Sequence, residues 1–266
     1  MIGVAGCGRM GAPMLAALRE AGFEARGFDI RPPEEFGNLA MVITDQPEPF
    51  KTGLHTLITV VRDIAQTEDV LFGAQNFLSA PDLHRIIISS TLSPRYVRDL
   101  RSRIPPKISL IDAPMSGAQI AAQEARLSFM LGGEPSDLDD VQPLFSAMGA
   151  HFHQMGGFGA GMQAKVLNNL LAASNTAMTR LVLDWADEAG LDPNTLLHLI
   201  ATSSGQNWFA TGFDDIEFAR DGFATDNTIG ILAKDVESAL DAAPDGMDQQ
   251  LPKAVRQAIQ TLKPRP

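Results

Sequence analysis

The first half of the chain alternates short apolar runs with segments that suit helices or turns. Apolar, β-rich runs occur at residues 2–5, 24–28, 40–43, 54–61, 85–89 and 108–111. Strands that alternate with helices in this way predict a mostly parallel, doubly wound sheet. Ligands of such sheets bind at the carboxyl ends of the strands, so the residues that follow each run are candidates for binding.

The second half has a different pattern. A proline-free stretch from Met162 to Ala189 is apolar on most faces, which predicts one long, buried helix. Further helical stretches follow without a clear strand among them, near residues 194–201, 229–242 and 252–262. We therefore predict an α/β domain over residues 1–158 and an all-α domain over residues 159–266. A long helix without a partner in its own small domain often packs against another subunit, so we expect a homodimer or homotetramer.

A glycine-rich turn, Gly6-Cys7-Gly8-Arg9-Met10-Gly11, directly follows the first predicted strand and opens a helix. In such a unit Gly6 permits the tight turn, Gly8 lets the backbone approach a pyrophosphate, and Gly11 permits close packing of the helix. The helix N-terminus, with Arg9 and Met10 before it, faces the anion. The pattern predicts a dinucleotide site.

The second predicted strand ends in Asp29, and Arg31 follows two residues later. An acidic side chain at this place accepts hydrogen bonds from the ribose hydroxyls and repels a 2′-phosphate, which favours NAD. The guanidinium of Arg31 can pair with that phosphate, so NADP stays open. Val60 and Val61 end a later apolar run and belong to the same predicted cofactor site.

Charge and cysteine content narrow the possible partners and the compartment. The formal net charge of −11 and the sequence pI near 4.8 disfavour nucleic acid and anionic membranes as partners. The single cysteine, Cys7, excludes an internal disulfide framework and fits a reducing compartment. No stretch resembles a signal peptide or a membrane span, so we expect a cytoplasmic protein. His151 and His153 share a strand face without a third ligand, and no metal site is expected.

The segment from Gly159 to Asn169 joins a glycine-containing loop to the start of the long helix. On that helix Lys165 and Asn169 are four residues apart, which places both polar groups on one face. Such a pair can hold a hydroxyl and take its proton if burial lowers the lysine pKa toward neutrality. The alternative interpretation is a surface lysine beside an exposed asparagine.

Several motifs, taken in order, resemble those of a known family. They are Gly6 to Met14, Ser90-Thr91-Leu92-Ser93-Pro94, Asp112-Ala113-Pro114-Met115-Ser116-Gly117, the segment Lys165 to Asn169, and Lys234-Asp235. With these motifs the chain resembles, over nearly its whole length, the β-hydroxyacid dehydrogenase family, which includes the 3-hydroxyisobutyrate dehydrogenases.

The resemblance implies a Rossmann domain followed by an all-α domain, with the active site in the cleft between them. It implies that Lys165 is the general acid/base and that Asn169 orients the substrate hydroxyl, with Thr91 near the nicotinamide. The residues that it assigns to substrate binding are Ser116, Gly117, Ala118 and Lys234. We therefore expect an oxidoreductase that transfers a hydride between a nicotinamide cofactor and a small β-hydroxyacid or its semialdehyde.

The chain departs from the family pattern beside the predicted carboxylate site. Where the family continues Ser-Gly-Gly, this chain has Ser116-Gly117-Ala118, and later family glycines are replaced by Ala121 and Ala125. The added methyl of Ala118 could narrow the pocket or tilt the backbone. Two alternatives stay open: an NADPH-dependent reductase of glyoxylate or succinic semialdehyde, in which Arg31 takes the phosphate, and a catalytically silent dinucleotide-binding module that senses redox state, which the alanine replacements favour.

Overall fold

The computed structural model describes residues 1–265, so Pro266, the last residue of the predicted second domain, lies outside the described residues. The chain divides into two compact units, the first spanning Met1–Lys165 and the second beginning at Val166. Each unit is built differently.

A single sheet forms the centre of the first unit. Its strands are β1 (Ile2–Ala5), β2 (Ala25–Phe28), β3 (Ile43–Thr44), β4 (Thr56–Thr59), β5 (Arg85–Ile88), β6 (Ser109–Asp112), β7 (Met115–Ser116), β8 (Leu127–Gly132) and β9 (Gly149–Gly156). The order is β3-β2-β1-β4-β5-β6-β8-β7, with β9 also paired to β8. Strands β1 to β6 are parallel, whereas β8 runs antiparallel to β6 and β7. The predicted parallel sheet is confirmed.

Helices pack on both faces of this sheet. They are α1 (Gly11–Glu20), α2 (Pro47–Lys51), α3 (Ile64–Leu71), α4 (Pro94–Arg103), α5 (Ala118–Gln123) and α6 (Pro135–Met148). Alternate strand residues point to opposite sides, so that Ile58 joins one core with α1 and α6 while Leu57 joins another with α3 and α4. Burial on both faces explains why the strands are almost continuously apolar.

The strand predicted at residues 40–43 is wrong except at its last residue. The chain from Pro33 to Val42 forms 3₁₀ turns interrupted at Gly37, and β3 begins only at Ile43. Phe36, Leu39 and Val42 pack against the core beneath α1. Their spacing of three residues matches the 3₁₀ repeat, which explains how an apolar segment here avoids becoming a strand.

The second unit is helical, and its described residues contain no strand. Helix α7 (Ala160–Glu188) begins within the first unit and continues into the second, where α8 (Pro193–Ala201), α9 (Trp208–Thr211), α10 (Thr228–Asp241) and α11 (Gln250–Gln260) follow. The predicted all-α region is confirmed. Within one chain α7 is not buried on every face, because one face carries exposed large apolar side chains: Leu167, Leu171, Met178, Leu181 and Trp185. Within residues 1–265 no helix has the length and apolar character needed to cross a bilayer.

Candidate active site

The glycine-rich turn after β1 has the geometry of a phosphate-binding loop. Gly6 has a φ of 93°, and a Cβ there would lie 2.7 Å from the carbonyl oxygen of Val60. A Cβ on Gly11 would lie 1.9 Å from the carbonyl oxygen of Gly6, so helix α1 packs directly on the turn. Gly8 has no atom within 4 Å of its Cβ position. The open space at Gly8, before the N-terminus of α1, fits the pyrophosphate of a dinucleotide.

Neighbouring strand ends meet beside this turn. Strand β1 lies between β2 and β4, which is where the strand order reverses and where open α/β sheets bind their ligands. The N–H of Val60 donates to the carbonyl of Ala5 (2.8 Å), and the N–H of Val61 donates to Oγ of Ser90 (2.9 Å). The half-buried Thr91 follows Ser90. The predicted cofactor residues of β1, β4 and β5 therefore lie on one edge of the sheet.

Asp29 is buried beside the turn and is already engaged by protein groups. Its Oδ2 accepts the N–H of Cys7 (2.8 Å), and its Oδ1 accepts the N–H (3.1 Å) and Nε–H (3.0 Å) of Arg31. The hydrogen bond with Asp29 raises the pKa of Arg31 above its ordinary value. The half-exposed guanidinium also lies over the ring of Phe36, at 4.6 Å from its centroid. A ribose hydroxyl that bonds to Asp29 must share the carboxylate with Arg31.

Arg9 and Met10 occupy the short segment between the turn and α1. Arg9 is exposed, while Met10 is half-buried and takes the N-cap position of the helix. No side chain caps this helix end, and the N–H of Ala12 in its first turn donates to the carbonyl of Gly8 (3.1 Å).

The predicted carboxylate-binding segment has an unusual backbone. Ser116 lies in β7 opposite Ser128, and Gly117 and Ala118 follow with φ values of 137° and 53°. Ala118 thus keeps a left-handed conformation that glycine favours, despite its Cβ, and Ala125 does the same with a φ of 51°. Such a conformation costs an alanine on the order of 1 kcal/mol. The methyl of Ala118 is therefore held in a conformation that is strained for alanine.

Lys165 and Asn169 lie one turn apart on α7, and both are buried, with 7% and 8% of their surface exposed. This burial contradicts the alternative of a surface lysine beside an exposed asparagine. The pair is therefore available for chemistry only in a site that excludes most of the solvent.

Asn169 is held in place by a residue to which sequence reasoning assigned no role. Its Nδ2 donates to Oδ2 of Asp235 on α10 (2.6 Å), while its Oδ1 accepts from Nδ2 of Asn168 (3.2 Å). Asp235 is buried, and its Oδ1 lies 3.5 Å from Nζ of Lys234. The sequence pattern that could have indicated this role is the position of Asp235 on the apolar face of α10, between Leu232 and Ala239.

Comparison with known proteins agrees with this geometry. Residues 1–157 match the model of the NAD binding domain of 6-phosphogluconate dehydrogenase, and residues 159–265 match the model of the NAD-binding region of NADP-dependent 3-hydroxyisobutyrate dehydrogenase. The chain belongs to the β-hydroxyacid dehydrogenase family. As a member it is an oxidoreductase that binds NAD(P), and the expected Rossmann domain with a following helical region is confirmed.

Individual relatives share most of the chain. The mitochondrial 3-hydroxyisobutyrate dehydrogenase of Rattus norvegicus is 28% identical over 252 residues, which cover 91% of this chain and 75% of that protein. The 2-hydroxy-3-oxopropionate reductase of Escherichia coli is 32% identical over 198 residues, 72% of this chain and 67% of that one. The structure of Mycobacterium tuberculosis 3-hydroxyisobutyrate dehydrogenase with L-serine has a TM-score of 0.82 at 27% identity, covering 98% and 95% of the two chains.

Proposed function

We propose that this protein interconverts a small β-hydroxyacid and its semialdehyde, with residues 1–158 binding the cofactor and residues 159–266 serving the substrate and subunit contacts. The observation that carries the proposal is the buried pair Lys165 and Asn169, one turn apart on α7, with Asn169 bonded to Asp235. A bound nicotinamide supplies or accepts the hydride. What remains for the protein is to hold the substrate and to move one proton.

Lys165 is the proposed general acid/base. In its uncharged form it accepts the proton of the substrate hydroxyl during oxidation, and in its protonated form it returns that proton during reduction. Because Lys165 is buried, little bulk water competes with a substrate hydroxyl for its side chain. Asn169 orients the hydroxyl, and the bond from its Nδ2 to Asp235 fixes the plane of its carboxamide. A carboxamide fixed in this way does not have to be ordered again in each catalytic cycle.

The substrate carboxylate requires donors and positive charge. We assign it to the hydroxyl of Ser116 and the backbone N–H groups of Gly117 and Ala118, together with the ammonium of Lys234. Lys234 lies 3.5 Å from Asp235, so one acidic residue contacts both Asn169 and Lys234. Gly117 and Ala118, which follow Ser116, both have positive φ values.

For the cofactor we propose a preference for NAD, based on the buried carboxylate of Asp29 beside Gly6, Gly8 and Gly11. A 2′-phosphate next to this carboxylate would suffer repulsion. The runner-up is NADP, because the half-exposed Arg31 could leave Asp29 and pair with the phosphate. Oxidation of NADH and NADPH at equal concentration separates the two, and a strong preference for NADPH would contradict the role of Asp29.

The experiment for the proposed function follows reduced-nicotinamide absorbance with a panel of 2-hydroxy-3-oxopropionate, succinic semialdehyde, glyoxylate, and 3-hydroxyisobutyrate or L-serine in the oxidative direction. Lys165→Ala should lower kcat by roughly 10³-fold, since general acid–base catalysis contributes about 10²–10⁴-fold. The dissociation constant of the reduced cofactor should change less than about twofold.

Lys253→Ala is the matched control, because it removes an exposed lysine from α11. It should retain full activity. Turnover of Lys165→Ala within a few-fold of the wild type would eliminate the proposed role of Lys165. Cofactor binding without turnover of any panel member would favour the silent redox-sensing module.

We also propose that the protein is a homodimer, with a homotetramer as the larger alternative, and that it works in a reducing compartment such as the cytoplasm. The exposed apolar side chains of α7 lie at spacings of 4, 7, 3 and 4 residues, which places them on one face over about 27 Å. An apolar stripe of this length is typical of an interface. Leu171→Glu should give monomers in sedimentation, whereas Met41→Glu, at an exposed position outside α7, should not.

A further inference from the structure

The first turn of the helix that carries Lys165 is attached to the sheet by one buried carboxylate. Asp112 is the last residue of β6 and has no exposed surface. Its Oδ1 accepts the N–H of Gly159 (2.6 Å), and its Oδ2 accepts the N–H of Met162 (2.5 Å). These amides belong to the start of α7, where backbone N–H groups have no partner within the helix. The carboxylate therefore caps α7 from a distant part of the chain.

Two glycines allow this close approach of the start of α7 to the ends of β6 and β8. A Cβ on Gly132, which pairs with Asp112 across β6 and β8, would lie 2.2 Å from Oδ1 of Asp112. A Cβ on Gly161 would lie 2.3 Å from the carbonyl oxygen of Met130. Strand ends and helix start thus meet backbone to backbone.

A second contact fixes the same turn of α7. Sδ of Met162 lies 3.3 Å from the N–H of Leu92, in the segment after β5, and Met162 is fully buried. The aliphatic part of Arg98 packs under Gly159, since a Cβ there would lie 2.6 Å from Cγ of Arg98. The start of α7 is therefore held from β5, from α4 and, through Asp112, from β6.

We propose that Asp112 is a positioning residue that sets the place of Lys165 relative to Ser116, an inference that rests on the proposed function. Lys165 lies three residues after Met162 on α7, and Ser116 lies four residues after Asp112 in the segment that continues from β6. One carboxylate thus connects the backbone that leads to the proposed carboxylate site with the helix that carries the proposed base. Misplacing a catalytic group by about 1 Å can cost roughly 10²-fold in rate.

Asp112→Asn tests the inference because asparagine has the same shape. Its single carbonyl oxygen can accept one of the two N–H groups, while its NH₂ group opposes the other. We expect kcat with the best panel substrate to fall by about 30-fold or more, with the dissociation constants of NADH and NADPH within about twofold. If Asp112 only stabilised the fold, a fully folded Asp112→Asn variant would keep the kcat and the cofactor affinity of the wild type. A fall in kcat without a change in cofactor affinity therefore indicates a positioning role.

Asp192→Ala is the control for the loss of a cap. Asp192 caps α8 by accepting the N–H of Thr195 (2.8 Å), and it plays no part in the proposed site. Its replacement should leave kcat unchanged. Activity of Asp112→Asn within threefold of the wild type, in a folded protein, would overturn the inference.

Hydrogen exchange provides a readout that does not depend on turnover. In Asp112→Asn the amides of residues 159–165 should exchange at least tenfold faster than in the wild type, while those of α8 do not change. Unchanged exchange at the start of α7 would overturn the inference even if activity falls. A wild-type protein that turns over no panel member contradicts the proposed function instead, and the exchange result still decides whether Asp112 holds α7.

Discussion

Asp112 in the first unit and Arg180 in the second are both fully buried charged residues whose partners are backbone groups. Asp112 accepts two N–H groups at the start of α7. Arg180, farther along α7, donates to the carbonyl oxygens of Ala219 (2.7 Å) and Asp221 (2.8 Å) and to that of Lys263. An anion satisfies unpaired donors in one unit, and a cation satisfies unpaired acceptors in the other.

The difference lies in how the two charges respond to burial. Burial raises the pKa of Asp112 to about 6, and the two N–H bonds and the nearby positive charge of Arg98 only partly oppose this rise. Burial also lowers the pKa of Arg180, but a guanidinium remains protonated in proteins. The attachment in the first unit can therefore be neutralised at mildly acidic pH, whereas the one in the second unit stays charged. This contrast leads to three predictions.

The largest effect is expected for Arg180→Met. Methionine has a similar length but leaves the buried carbonyl oxygen of Ala219 and the part-buried ones of Asp221 and Lys263 without their guanidinium donors, so the free energy of unfolding should fall by about 3 kcal/mol. Both tryptophans, Trp185 and Trp208, lie in the second unit, so tryptophan fluorescence during urea unfolding reports on this unit directly.

Arg126→Met is the control for Arg180. It removes an exposed arginine that pairs with Glu124 at the surface, and it should cost less than about 1 kcal/mol. Equal losses for the two variants would show that the contacts of Arg180 with the chain from Ala219 to Lys263 contribute no more than a surface pair.

An intermediate effect is expected from pH. Because the pKa of Asp112 in the folded protein exceeds the usual aspartate value, this group stabilises the fold most below the unfolded pKa, and that contribution is lost as pH rises through about 6. Between about pH 5 and pH 7.5 the loss amounts to roughly 1.4 kcal/mol. Subtracting the unfolding curve of Asp112→Asn from that of the wild type isolates it. Parallel pH curves for the two proteins would disprove the raised pKa.

The smallest effect concerns backbone strain without any charge. Ala125→Gly removes a left-handed alanine just after α5 and should raise the free energy of unfolding by about 0.5 kcal/mol, because relief of strain exceeds the added freedom of the unfolded chain. Ala121→Gly, inside α5, should instead lower the free energy of unfolding by about 1 kcal/mol. A loss in both variants, measured by urea unfolding, would mean that Ala125 is not strained.

Local chemistry made much of the cofactor region predictable. The turn from Gly6 to Gly11 combines a strand, glycines and a helix in consecutive residues, so a short stretch of sequence was enough to predict it. The role of Asp112 was not predictable in this way, because its partners Gly159 and Met162 lie 47 and 50 residues away. The same holds for Asp235, whose partner Asn169 lies 66 residues away.

Arg180 shows most clearly which features cannot be predicted from the sequence. In the sequence Arg180 is one of several polar residues within a long, largely apolar helix. Nothing in the neighbouring sequence distinguishes a surface arginine from a buried one. Its burial depends on the chain from Ala219 to Lys263 presenting three carbonyl groups to it. The sequence predicted that α7 lacks a full partner in its own chain, but only the structure shows which of its apolar side chains are exposed.

The sequence by itself determined the parallel sheet, the helical second region, the family, the glycine turn and the identity of the candidate groups Lys165, Asn169 and Ser116. Periodicity and short motifs encode these features through interactions within a few residues. Only the tertiary structure decided that Asp235 holds Asn169, and that Asp112 and Arg180 bind backbone groups far away in the chain. A buried charge needs hydrogen-bond partners, and here distant segments of the chain supply them. Those segments are close to one another only in the folded protein.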